Sequence, residues 1–73
     1  MFMEVVLLRI ILNGREEELN EEMTIAQLIE ARGINGTNII VERNYELVKS
    51  QHWSEVLLQE GDRLEILRLV GGG

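Results

Sequence analysis

Residues Val5 to Leu12 read VVLLRIIL and stop at Asn13-Gly14, a pair suited to a two-residue hairpin turn. Side chains alternate across a strand, so Val6, Leu8, Ile10 and Leu12 share one face and Val5, Leu7, Arg9 and Ile11 the other. Only the second face carries a charge, which predicts that the first faces the core. Arg15 to Leu19 pairs back as a second strand, and its run Glu16 to Glu18 suits a solvated sheet edge. From Met23 the period changes. Ile25, Leu28 and Ile29 recur at helical spacing, Thr24 and Gln27 form a capping-box pair, and Met23 stands where it can staple onto Leu28. Gly33 is a natural helix stop, with Ile34 placed to fold back over the last turn. One short helix over residues 24–32 follows.

The remaining pattern is extended. Asn38 to Glu42 predicts a third strand, Arg43-Asn44 a turn, and Tyr45 to Val48 a short fourth strand. Gln51 to Trp53 reads as an irregular or 3₁₀ connection, Gly61-Asp62 as a turn, and Arg63 to Val70 (RLEILRLV) as the last strand. The order β-β-α-β-β-β, with a helix able to cover one sheet face only, predicts an α+β two-layer fold. The first and last strands are the most apolar and should lie side by side at the centre of a mixed sheet of four to five strands. Residues 1–70 form the domain and Gly71-Gly72-Gly73 a tail.

Composition narrows the function. At 73 residues the chain is one domain, and a domain of this size buries only about 60% of its unfolded surface. A deep catalytic cavity would leave no core. There is no cysteine, so disulfides, thiolate metal ligands and thiol nucleophiles are excluded within the chain, and apolar packing alone must hold it together. Seven Lys and Arg against thirteen Asp and Glu give a net charge of −6, which argues against nucleic acid and anionic membranes and favours a partner with a basic face. Met1 to Glu4 lacks the basic start of a secretory signal, and the apolar run broken by Arg9 is too short to span a bilayer, so a cytoplasmic protein, monomeric when free, is expected. Asn35-Gly36-Thr37, formally a glycosylation sequon, is then a turn.

Inside the domain little points to catalysis. His52 and Glu55 are two candidate ligands where a metal needs three or four. Ser50 and Ser54 lack a third group to orient a nucleophile and base. Trp53 reads as a plug closing the core and Tyr45 as half-buried packing. The tail is different. Three glycines after an apolar strand serve no packing purpose, but they let a backbone thread a channel too narrow for any side chain. The carboxylate of Gly73 is ionised at neutral pH and is a poor electrophile until a partner converts it to an acyl-adenylate.

Asn13-Gly14, Thr24-Ile25 with Leu28, Val41-Glu42-Arg43-Asn44, Trp53, Gly61-Asp62 with Leu64-Glu65-Ile66, and the closing Val70-Gly71-Gly72-Gly73 together resemble the sulfur carrier proteins of thiamine biosynthesis, a ThiS-like branch of the ubiquitin-like β-grasp superfamily. The resemblance runs from about Ile10 to Gly73, and Met1 to Arg9 is longer than the usual start. The small sulfur-carrying subunit of molybdopterin synthase shares the fold and the Gly-Gly end. A non-covalent ubiquitin-like module and an isopeptide-forming modifier also stay open. The thiamine resemblance implies no enzyme and no bound cofactor. A ThiF-type adenylating enzyme would activate Gly73 with ATP and magnesium, a persulfide donor would convert it to a thiocarboxylate, and thiazole synthase would consume the sulfur. The run of three glycines, with no side chain to anchor it, also predicts that Gly71 to Gly73 is mobile in the free protein and ordered only in the partner's channel, which Gly71 and Gly72 thread. By parity Leu67 and Leu69 fall on the face opposite the helix, and beside Leu7 and Ile11 they would make an apolar docking patch.

Overall fold

A computed structural model describes residues 5–70. In chain order it has β1 (Leu8–Leu12), β2 (Arg15–Leu19), α1 (Ile25–Ala31), β3 (Ile39–Arg43), β4 (Glu46–Val48), a 3₁₀ turn at Ser50–His52 and β5 (Arg63–Arg68). The strands form one mixed sheet in the order β2-β1-β5-β3-β4. Only β1 and β5 run parallel, and the other neighbours are antiparallel. The expected pairing of the first and last strands is therefore present, with β5 in the middle. The acidic β2 is an edge, as its glutamates suggest.

Helix α1 lies across the inner face because every local signal agrees. The Thr24 Oγ1 accepts from Gln27 N–H at 3.1 Å while Gln27 Oε1 accepts from Thr24 N–H at 2.8 Å. At the other end Gly33 takes φ +66°, its N–H reaches Glu30 O and the Ile34 N–H reaches Ile29 O, each at 3.0 Å. That double closure satisfies the last carbonyls and requires a residue without a Cβ penalty at position 33. Ile25, Leu28 and Ile29 then meet Leu8, Ile10, Val41, Leu58, Leu64 and Ile66 in one core. Trp53 closes it from the side. It is buried, and its Nε1–H donates to Val48 O at 2.9 Å.

Several boundaries differ from expectation, each for a local reason. Strand β1 starts at Leu8 rather than Val5, because β2 ends at Leu19 and leaves residues 5–7 only the Leu7 N–H to Leu19 O bond at 2.8 Å. Strand β3 starts one residue late because Asn38 takes φ +58°. For the same reason β5 ends at Arg68, although the Leu69 N–H still donates to Asn38 O at 2.7 Å. The turn after β3 is Asn44-Tyr45, not Arg43-Asn44. Both turn residues have positive φ, +52° and +70°, the geometry of a two-residue hairpin loop, while Arg43 stays in the strand opposite Leu64. Tyr45 is consequently 76% exposed at the hairpin tip, not half-buried, with Arg63 stacked 5.7 Å from its ring centre. The sequon is a turn, in which Asn35 Oδ1 accepts from the Thr37 N–H at 3.0 Å.

Candidate functional site

Strand β5 delivers the chain to its last residues, so what holds β5 fixes where the tail starts. Two polar side chains do this. Asn13, at φ +50° in the first hairpin turn, reaches across to β5. Its Oδ1 accepts from the Ile66 N–H at 2.7 Å and its Nδ2 donates to Ile66 O at 3.3 Å. Asp62 sits at the mouth of β5 as a buried carboxylate. It accepts from Arg43 Nε at 2.9 Å, Asn44 Nδ2 at 3.1 Å and the Gln59 N–H at 2.8 Å. Burial alone would raise its pKa, but the hydrogen bonds from Arg43, Gln59 and Asn44 and the Arg43 charge outweigh burial and hold it below its ordinary value. The Asn44 Oδ1 in turn accepts from the Arg63 N–H at 2.9 Å. Beyond this anchored stretch the Leu69 N–H to Asn38 bond is the last before the glycines. Gly71, Gly72 and Gly73, the tail residues singled out from the sequence, lie outside the described residues.

The outer face of the sheet carries the second part of the site. Leu67 pairs with Ile40, and Glu42 stands between Glu65 on one side and Leu47 on the other. Ile40, Leu47, Leu67 and Leu69 therefore share the outer face beside the tail's root, with Leu47, Leu67 and Leu69 exposed to about half or more. Leu7 and Ile11 do not join them. The parallel register sets Ile11 beside Arg63, so Leu67 lies four residues further along, about 13 Å at strand rise. Leu7 lies the same distance in the opposite direction. The outer face of β1 and β2 is instead charged, with Arg9 Nε 3.3 Å from Glu16 and 3.5 Å from Glu18. Parity assigned Leu67 and Leu69 to the correct face; the error was in the register, which parity does not give.

Four positions escaped the sequence reading. Ile40 was seen only as strand, and Leu47 as part of a short fourth strand. Asn13 and Asp62 were read only as turn formers. A short polar side chain beside a glycine in a turn is also placed to bond a neighbouring backbone, and that was the available signal. The His52 ring lies 3.1 Å from Glu55, exposed, and among the described residues no group of three or more metal-binding side chains occurs. Among them too, no helix is long and apolar enough to cross a membrane.

Comparison with known proteins bears on this geometry directly. The ThiS family model matches residues 8–73, through the tail. The chain belongs to the ThiS family. It is 35% identical over 63 residues to the sulfur carrier protein ThiS of Bacillus subtilis, covering 85% of this chain and 96% of that one. It is also 33% identical over 66 residues to a thiazole synthase of Paramagnetospirillum magneticum, covering 90% of this chain but only 20% of that protein. A thiazole synthase of Magnetococcus marinus matches in the same way, so the chain spans about a fifth of the length of these relatives. A crystal structure of the thiamine biosynthesis protein ThiS of Geobacter metallireducens superposes with a TM-score of 0.79 at 23% identity, over 90% of this chain and all of that one. That likeness shows the fold, the ubiquitin-like β-grasp. The family match starts at Leu8, which leaves residues 1–7 outside it.

Proposed function

We propose that this chain carries sulfur in thiamine biosynthesis, as a protein co-substrate whose reacting group is the Gly73 carboxylate. The observation that carries the reading is the family match running through Gly73, behind a strand anchored by Asn13 and Asp62 and flanked by an exposed apolar face. In the first step a carboxylate oxygen attacks the α-phosphorus of ATP on a ThiF-type adenylating enzyme with magnesium, and pyrophosphate leaves. A persulfide sulfur then attacks the acyl carbon and AMP leaves. Cleavage of the resulting S–S bond by a thiol releases the thiocarboxylate. Thiazole synthase is the consumer, and the use of ATP carries a cytoplasmic location with it. Gly71 and Gly72 give the partner's channel a backbone without side chains.

The apolar face at Ile40, Leu47, Leu67 and Leu69 is the docking surface in this reading. It lies next to the tail's root, so a partner seated there receives the carboxylate in its active site. The test is intact-mass analysis after incubation with the host's adenylating enzyme, ATP, magnesium and a sulfur source. A carrier gains one sulfur in place of one oxygen. A mass that stays unchanged under conditions where the enzyme modifies its own known carrier refutes the reading.

A further inference from the structure

Asn13 has more hydrogen-bonding capacity than its turn uses. With φ +50° it opens the two-residue loop that joins β1 to β2, a conformation that glycine or aspartate would take as well. The turn therefore accounts for its backbone but not for its side-chain amide. That amide crosses to β5, 53 residues away in the chain, where Oδ1 accepts from the Ile66 N–H at 2.7 Å and Nδ2 donates to Ile66 O at 3.3 Å. The Asn13 N–H also donates to Leu64 O at 2.9 Å. One residue thus bonds two successive positions on the same edge of β5.

The two ladders beside β5 show what the side chain replaces. On the β3 side β5 is paired from Leu64 to Arg68, and the Leu69 N–H goes on to Asn38 O at 2.7 Å. On the β1 side strand pairing stops at Leu64, because β1 ends at Leu12. From Glu65 onward the strand that leads to the glycines would be held along one side only, free to swing about the β3 ladder. The Asn13 amide has the acceptor and the donor of a peptide group, and it stands in for the next residue of β1. We infer that Asn13 is a positioning residue for the chemistry at Gly73: its side chain clamps Ile66 and so aims the strand end from which the reacting carboxylate is delivered. The inference rests on the sulfur-carrier reading and adds to it a residue outside the tail that governs the rate. Val70 lies four residues beyond Ile66, about 13 Å at strand rise, so a swing of about 5° moves it by about 1 Å. Where reacting atoms must align, a shift of about 1 Å costs about a hundredfold. Glycine backbone is the least constrained and absorbs part of the shift, which sets the expected loss at about tenfold. Leu67 and Leu69 stay on the β3 ladder, so the outer face keeps its shape.

Asn13→Gly tests this, because glycine keeps the positive φ and removes only the side-chain amide. The full chain is the varied substrate of the host's adenylating enzyme, with ATP, magnesium and a sulfur source, and thiocarboxylate is read by mass. The expected result is a kcat about tenfold lower with KM within about twofold of wild type, and faster amide hydrogen exchange at Ile66 in the free variant. Asn13→Asp keeps an acceptor for the Ile66 N–H and loses the Nδ2 donor, so its kcat should fall in between, about threefold below wild type. A merely structural asparagine would lower the urea midpoint and leave the kcat of the folded protein unchanged. Wild-type kcat in Asn13→Gly, a loss confined to KM, or unchanged exchange at Ile66 overturns the inference. In that event wild-type protein still acquires sulfur, so the sulfur-carrier reading stands. If wild-type protein never acquires sulfur, both fall. Should Asn13→Gly fail to fold, the kcat of Asn13→Asp decides alone, and a wild-type value overturns the inference.

Discussion

Replacing Asp62 should destabilise the domain more than any other polar substitution among the described residues. The carboxylate is buried and accepts three hydrogen bonds, from Arg43, Asn44 and the Gln59 N–H. Asp62→Ala leaves all three donors without their acceptor. Hydrogen bonds to a charged group contribute about 1.5–3 kcal/mol each when singly removed, and breaking a buried ion pair costs about 3–5 kcal/mol in all. The Arg43 side chain is 31% exposed and recovers some hydration, which sets the expectation near the lower figure, about 3 kcal/mol. A domain of 73 residues has about 4–11 kcal/mol to lose in all, at about 0.05–0.15 kcal/mol per residue. Urea unfolding followed by fluorescence of the single buried Trp53 reads the change directly. The same residue gives a pH signature. Its pKa is lowered in the folded state, so the folded protein binds fewer protons than the unfolded chain across that window. The stability it supplies is complete above the ordinary carboxylate pKa of the unfolded chain and is lost as pH falls through the lower folded value. Asp62→Asn removes this contribution to the acid limb. If Asp62→Ala unfolds at the wild-type urea concentration, or Asp62→Asn keeps the wild-type acid limb, the hub does not hold β5 as described.

Leu28→Ala should cost about 2–5 kcal/mol by urea unfolding, since Leu28 is fully buried at the centre of the core. Thr24→Ala should cost about 1 kcal/mol through the lost cap, in the same assay. Leu67→Asp should leave the urea midpoint unchanged but weaken binding to the adenylating enzyme about tenfold or more in a calorimetric titration, because it buries an unpaired charge against an apolar surface. Deleting Gly73 moves the carboxylate by at most about 3.6 Å of chain reach, and a shift of about 1 Å already costs about a hundredfold where reacting atoms must align. Thiocarboxylate formation, read by mass, should fall by at least that much, and Gly72→Val should fail as well by obstructing the channel.

Local signals in this sequence translated well into local structure. Thr24, Gln27, Gly33 and Ile34 stated the helix and both its ends, because capping chemistry depends on residues a few positions apart. The Glu16 to Glu18 run announced an edge, and alternation placed Leu67 and Leu69 on the outer face. What failed depended on distance. Alternation says which face a side chain takes but not which residue stands opposite, so Leu7 and Ile11 were assigned to a patch that the Ile11–Arg63 register puts elsewhere. The bonds between Asn13 and Ile66 and between Arg43 and Asp62 join residues far apart in the chain, and the local pattern, a short polar side chain beside a turn glycine, says that such a bond can form but not with which residue. Tyr45 was misplaced by a single residue of turn. A two-residue loop needs positive φ twice, and the pair Asn44-Tyr45 meets that requirement although tyrosine rarely does.

The parallel run of β1 and β5 has a practical consequence for anyone who wishes to tether this molecule. Two parallel strands side by side enter at the same end of the sheet and leave at the other. The register of Ile11 with Arg63 places Val5 level with a point thirteen residues before Val70, about 43 Å away at strand rise. A fluorophore, an affinity handle or a surface linker attached at Val5 itself therefore sits at the pole remote from Val70. Such a conjugate should present its last residues to an enzyme as freely as the unmodified protein does, whereas a label on the Asn13-Gly14 hairpin would crowd the root of the tail.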